Sequence, residues 1–244
     1  MKKNGVYIGF IICFFCLSCT NDNGNTDQYM PTPSPLQIPQ LFEDNIIPPV
    51  IPLDNPQTIE GVALGKKLFF DPILSANNTQ ACASCHSPQN AFTDSARFSV
   101  GIDGSVGTRN SMPLFNMAWN YDERFFWDGH VFSLEHQALE PVTNPIEMNT
   151  TWTAVVTKLQ DHEDYPQLFM EAFGDVPITK ELTTKALAQF ERTLISANSK
   201  FDNHLQGEAV LTPQELNGLN VFLDETRGDC FHCHGNPNNP LWTD

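Results

Sequence analysis

Two short stretches of this chain, ACASCH and DCFHCH, each place two thiols and an imidazole within about one turn of backbone. His86 follows Cys82 and Cys85 directly, and His234 follows Cys230 and Cys233. Three chemistries use cysteine pairs at this spacing. In c-type haem attachment the thiols bond to the vinyl groups and the histidine becomes an axial ligand of the iron. A four-cysteine zinc site would use the thiols alone, and redox-active dithiols would cycle each pair. Neither rival needs a histidine directly after both pairs. Haem is therefore the stronger reading, with His86 and His234 as ligands to iron.

The other cysteines and the N-terminus give the compartment. Of seven cysteines, Cys13 and Cys16 lie in the apolar run VYIGFIICFFCL and Cys19 stands at its edge. Lys2 and Lys3 precede that run, and polar TNDNGNTD follows it. This is the layout of an export signal over residues 1–18, too short to span a bilayer as a mature helix. Cys19 after Leu17 and Ser18 resembles a loose lipobox, which makes it the candidate lipidated first residue; an ordinary cleaved signal peptide without lipid is the alternative. An exported chain ordinarily uses its cysteines for disulfides. Here the mature body has only the two motif pairs, so haem attachment explains what disulfides cannot.

Residues 19–52 are rich in Pro and Asn, with PTPSP at their centre, and read as an extended tether. The formal charge is -16, and the excess of acidic residues argues against nucleic acid as a partner. It suits a solvated surface or a basic redox protein.

The body that must position the motifs reads as all-α. A helix is expected from Asn55-Pro56 to about Phe70, and a short one over residues 134–139. Residues 151–160 and 166–173 give two more, the second ending at Gly174. The longest is expected over residues 180–205, with Leu182, Ala186, Phe190 and Leu194 forming a core-facing stripe. Thr212-Pro213-Gln214-Glu215 is a capping box opening a last helix to about Leu223. Residues 87–124 carry Gly, Pro, Asn and Asp throughout and read as long ordered loops of the kind that wrap a cofactor. Gly65-x-x-x-Phe69 and Gly218-x-x-x-Phe222 each precede a haem motif, which suggests two related modules. The expected layout is a first cytochrome c-like haem domain over 53–206 and the start of a second over 207–244. The rest of the second, roughly a hundred residues by usual domain size, is expected beyond residue 244.

A succession of segments surrounds the first motif: LGKKLFFDPILS, CASCH, AFTD, RNSMPLFN, FFWDGH, SLEHQALEPV, NPIEM and FERTL. In order and spacing it resembles the bacterial di-haem cytochrome c peroxidases, the MauG-type enzymes included. The resemblance implies tandem cytochrome c-like domains, with peroxide reduced to water at the first haem. It also implies that electrons arrive through the second from a small c-type cytochrome or copper protein in the periplasm. It further implies that Glu147 is the distal acid/base, Gln137 the distal amide that holds peroxide, and Trp127 the aromatic between the haems. Asn110 matches a calcium ligand at the domain interface, and a homodimer is compatible with the family. A di-haem electron carrier without turnover and a MauG-like protein-oxidising enzyme are the alternatives. A pocket closed by Pro141 and Ile146 would desolvate Glu147 and raise its pKa, as an acid/base requires.

Three positions depart from the family pattern. No histidine lies between His86 and His130, and Ile102 stands where a displaceable ligand would fall, so the first haem is expected to be five-coordinate and open. His130 occupies a place usually held by arginine, where it would meet a haem propionate; a stray ligand to iron is the alternative. No methionine follows Met170 to supply a distal ligand for the second haem. Met112, Met117, His136, His162 and His204 take packing or surface roles by default.

Overall fold

The computed structural model describes residues 29–234. The expected signal segment, Cys19 and the last ten residues lie outside that range. Among the described residues the only regular structure is helical, with four isolated β-bridges between loop positions. In chain order the helices are α1 (Gln40–Asn45), α2 (Ile59–Phe70), α3 (Cys82–Cys85), α4 (Leu134–Gln137), α5 (Glu140–Thr143), α6 (Trp152–Gln160), α7 (Tyr165–Phe173), α8 (Lys180–Arg192), α9 (Lys200–Leu205), α10 (Pro213–Phe222) and α11 (Phe231–His234). None is long and apolar enough to cross a membrane.

The packing of α2 on α8 organises the body. Gly65 removes the side chain where the helices cross, and a Cβ there would sit 1.9 Å from the Ala186 carbonyl oxygen. Phe69 and Phe190 pack beside the crossing as a tilted pair, ring centres 5.2 Å apart. Leu64, Leu68, Ala186 and Leu187 continue one core with Val155, Leu159, Tyr165 and Phe169 of α6 and α7. A buried polar knot fixes the register. The Gln189 side chain accepts from the Thr58 amide and donates to Asn55, while Gln57 donates to the Gln189 carbonyl. Asn55 also donates to Glu135, which pairs with Arg192 at 2.8 Å.

That knot explains one difference from expectation. The first core helix begins at Ile59 rather than Asn55, because Asn55 and Gln57 are used in tertiary bonds and Thr58 is the cap, accepting from the Gly61 amide. A second difference lies in the stretch expected as one helix from Lys180 to Leu205. It breaks after Arg192. Asn116 exchanges two hydrogen bonds with Ser196, and Ser199 opens α9 with its own capping box to Asp202. These local bonds offer the backbone an alternative to helix. The Thr212 cap and the Gly174 stop are as expected, the latter with φ of 83°.

The segment expected as a tether is, in its described part, extended but docked. Ser34 bonds to the Gln57 carbonyl, Val50 to the Ala118 carbonyl, and Leu41 and Phe42 of α1 are buried against Trp119. Those three apolar side chains have a stronger preference for the core than the Pro and Asn around them have for solvent.

The turn before the first motif is built around a cation. The Lys158 ammonium reaches the carbonyls of Ser75 at 2.5 Å, Ile73 at 3.2 Å and Ala76 at 3.4 Å, and Asn78 Oδ1 at 2.7 Å. Lys158→Met leaves these oxygens without their donor and is expected to cost on the order of 1–3 kcal/mol. Thermal unfolding checks this; an unchanged midpoint would show that water replaces the ammonium without loss.

Candidate functional site

Residues from α3, α4, α5, α8 and the 99–148 loops enclose a cavity of about 630 Å³. That lies inside the roughly 300–1,000 Å³ range of ligand and cofactor pockets. Cys82, Cys85, His86, Asn110, Trp127, Gln137 and Glu147 all line it. Seven candidates spread over 66 positions of sequence are thus brought to one space. Cys230, Cys233 and His234 lie apart from it, around α11, where only Phe231 is buried.

The motif end of the cavity has the chemistry of haem attachment. His86 Nδ1 lies 2.9 Å from the Phe92 carbonyl oxygen, which can only accept, so that nitrogen carries the proton and Nε2 keeps its lone pair. Ala91 and Phe92 take left-handed φ of 56° and 58°, the local conformation that aims this carbonyl at the ring. Burial pushes the imidazole pKa down and keeps it neutral, as a ligand must be. Burial pushes the Cys82 thiol up to about 12, and Cys85 is raised for the same reason. A redox-active dithiol needs a depressed pKa. Among the described residues, moreover, no three His, Cys, Asp or Glu side chains form a metal-binding group. The zinc and dithiol readings therefore find no support here. The wall between is apolar, with Phe69, Leu74, Leu114, Leu187 and Met148. The buried Glu191 Oε2 has no hydrogen-bond partner among the described residues. Cavity size, paired thiols, neutral imidazole and apolar wall together fit a covalently held haem.

At the other end, Glu147 sits on the turn after α5. Burial raises its pKa, and an Asn144 amide donating at 2.7 Å opposes that rise. Pro141 and Ile146 line the cavity beside it as expected, although Ile146 is 40% exposed. Gln137 is carried on α4 and is 9% exposed. Trp127 is 55% exposed at the rim, its indole N–H donating to the Asn110 carbonyl at 3.0 Å.

Three further groups escaped sequence reasoning in whole or part. Glu191, in FERTL, lines the cavity, and burial pushes its pKa up to about 8. The apolar stripe of its helix hides it. Asn144 was legible only as part of NPIEM. His130 was singled out, but its surroundings were not: Nδ1 lies 2.6 Å from Asp128, Nε2 lies 3.0 Å from Glu140, and the ring stacks on Phe126. Both ring nitrogens face carboxylates, with Asp128 the larger influence, so its pKa is raised. This clamp contributes fully below the ordinary imidazole pKa of about 6.5 and is lost as pH rises through the higher folded value. Proton NMR should find His130 titrating above that ordinary value, and lower in Asp128→Asn. Equal values in the two proteins would refute the clamp.

The comparisons with known proteins agree with this geometry. Residues 59–210 match the family model described as di-haem cytochrome c peroxidase. The chain belongs to that family. It is 39% identical over 184 residues to methylamine utilization protein MauG of Methylophilus methylotrophus, covering 75% of this chain and 54% of that protein. To cytochrome c peroxidase Ccp of Escherichia coli K12 it is 38% identical over 187 residues, covering 76% and 39%. A crystal structure of a MauG-like protein associated with microbial copper homeostasis superposes with a TM-score of 0.74 at 33% identity, covering 84% of this chain and 59% of that one. The chain spans about half the length of the curated relatives it matches. Haem c is the cofactor that this family implies, and the helical fold is that of the MauG-like di-haem peroxidases.

Proposed function

We propose that this is a periplasmic di-haem c-type peroxidase that reduces hydrogen peroxide to water. Peroxide is cleaved at the haem of Cys82, Cys85 and His86, and electrons from a small c-type cytochrome or copper protein enter through the haem of Cys230, Cys233 and His234. The observation that carries this reading is Glu147 lining the same cavity as the first haem motif. Electron transfer alone needs no carboxyl there, which disfavours a simple carrier.

The reaction takes one peroxide, two electrons and two protons to two waters. When bound, the haem supplies the redox-active iron. Glu147 removes the proton from one peroxide oxygen and returns it to the oxygen that leaves, a task suited to a half-buried carboxyl with a raised pKa. Gln137 holds peroxide by hydrogen bonds without adding charge. Trp127, half-exposed at the rim, would relay electrons between the two haems. Pro141 and the apolar wall limit water.

In the same reading, residues 1–18 are an export signal, Cys19 carries a lipid anchor, the first haem domain runs over 53–206, and Asn110 contributes to a calcium site. The full-length ferric protein, mixed with peroxide and a reduced small cytochrome, should turn over without prior reduction, since no histidine lies between His86 and His130 to block the site. Peroxide consumption coupled to oxidation of a partner protein's side chain, rather than of the reduced cytochrome, would favour the MauG-like alternative, to which the similarity to the Methylophilus protein lends support.

A further inference from the structure

We propose that Asn144 positions Glu147 for proton transfer, gripping one carboxylate oxygen and leaving the other to face the cavity. This rests on the peroxidase reading above. Both ends of the Asn144 side chain are committed. Its Oδ1 accepts from the Ile146 amide at 3.0 Å, so Nδ2 must be the end that donates to Glu147 Oε1 at 2.7 Å. The Asn144 carbonyl accepts from the amides of Glu147 and Asn149, both at 3.0 Å, which closes the turn. No other hydrogen bond reaches the Glu147 carboxylate among the described residues.

The backbone of this turn is also held from outside. The Ile102 amide donates to the Glu147 carbonyl at 3.0 Å, and Asn149 Nδ2 donates to Asp103 at 3.0 Å. Gly101 lies so close that a Cβ there would be 1.4 Å from the Ile146 carbonyl oxygen. Removing the Asn144 amide therefore frees the carboxylate while the turn stays anchored. A donor to the ionised form also opposes the effects of burial and of the Glu140 charge on Glu147. Cys82 and Cys85 are the other titratable groups coupled to Glu147, and neither is charged as a thioether.

Cyanide binding tests this apart from turnover, because hydrogen cyanide must lose its proton to bind ferric haem as the anion. Association rates are measured against pH in the haem-loaded, full-length protein for native, N144A, N144D, E147Q and E147Q/N144A. N144D keeps the acceptor for Ile146 and replaces the donor with a second carboxylate, so it separates grip from turn. Both single Asn144 variants are expected to bind cyanide roughly tenfold more slowly near neutral pH, a fraction of the ~10²–10⁴ a general base supplies. Their pH profiles should move upward, further in N144D. In the E147Q background N144A should cost less than about twofold, since its effect runs through the missing carboxylate. An equal loss in both backgrounds would make Asn144 merely structural and overturn the proposal. If E147Q itself binds cyanide at the native rate, the proton role of Glu147 fails first, and there is nothing for Asn144 to position.

Discussion

Glu147→Gln is expected to slow peroxide reduction by roughly 10²–10⁴-fold while leaving haem content and the Soret spectrum unchanged. Glutamine keeps the size of the side chain and can still meet the Asn144 amide through its oxygen. It cannot take a proton from peroxide. The loss should fall on kcat and on kcat/KM together, because the missing interaction belongs to the transition state. Glu140, close enough to raise the pKa of Glu147, is not a substitute. It already lies 3.0 Å from His130. A loss confined to KM would instead assign Glu147 to peroxide binding.

The second large effect concerns the scaffold. Gly65→Ala places a methyl 1.9 Å from the Ala186 carbonyl oxygen and 2.5 Å from its carbon. The obstacle is backbone in the middle of α8, so no rotamer can relieve it, and the two helices must separate. Because α8 carries Leu187 and Glu191 of the cavity wall, the damage reaches the site. We expect a loss of about 3 kcal/mol or more, at the upper end for overpacking, and a fall in Tm of roughly 6–12 °C. Gly107→Ala is the control: its Cβ would have ordinary contact, 3.4 Å from Ser99 O. Equal losses in the two variants would contradict the close crossing of α2 and α8.

These two residues also mark what the sequence could reveal. Gly65 was legible as part of a Gly-x-x-x-Phe pattern on a helix before a haem motif, and the structure places α8 against it. Gly218 bears the same pattern, yet nothing described lies within 4 Å of the Cβ it would carry, and α10 buries no residue. The haem motif was legible because its chemistry is local: three residues within one turn. Glu147, Gln137 and Trp127 were legible only through their spacing along a family pattern, since nothing nearby in sequence marks a lone Glu as cavity-facing.

What sequence missed depends on distant partners. The break after Arg192 is set by Asn116, 80 positions from Ser196, so the helical stripe of Leu182 to Leu194 could not foretell it. The docking of residues 33–50 depends on the Thr58 and Ala118 backbones. For His130 the sequence did not show that Glu140 of α5 reaches Nε2 while Asp128 of its own loop meets Nδ1; its place beside a haem propionate stands as a proposal. Asn144 needed the turn geometry to show which end of its amide faces Glu147.

In the proposed reading, Cys82 and Cys85 would hold a c-type haem in this cavity, with His86 as its protein ligand and the Glu147 side left open to peroxide. Resonance Raman spectroscopy of the full-length ferric protein, before any reductant is added, tests it most directly. The expected result is a high-spin, five-coordinate haem population that converts to six-coordinate low-spin on adding cyanide. Haems that are entirely six-coordinate and low-spin from the outset, with no response to cyanide, would contradict it.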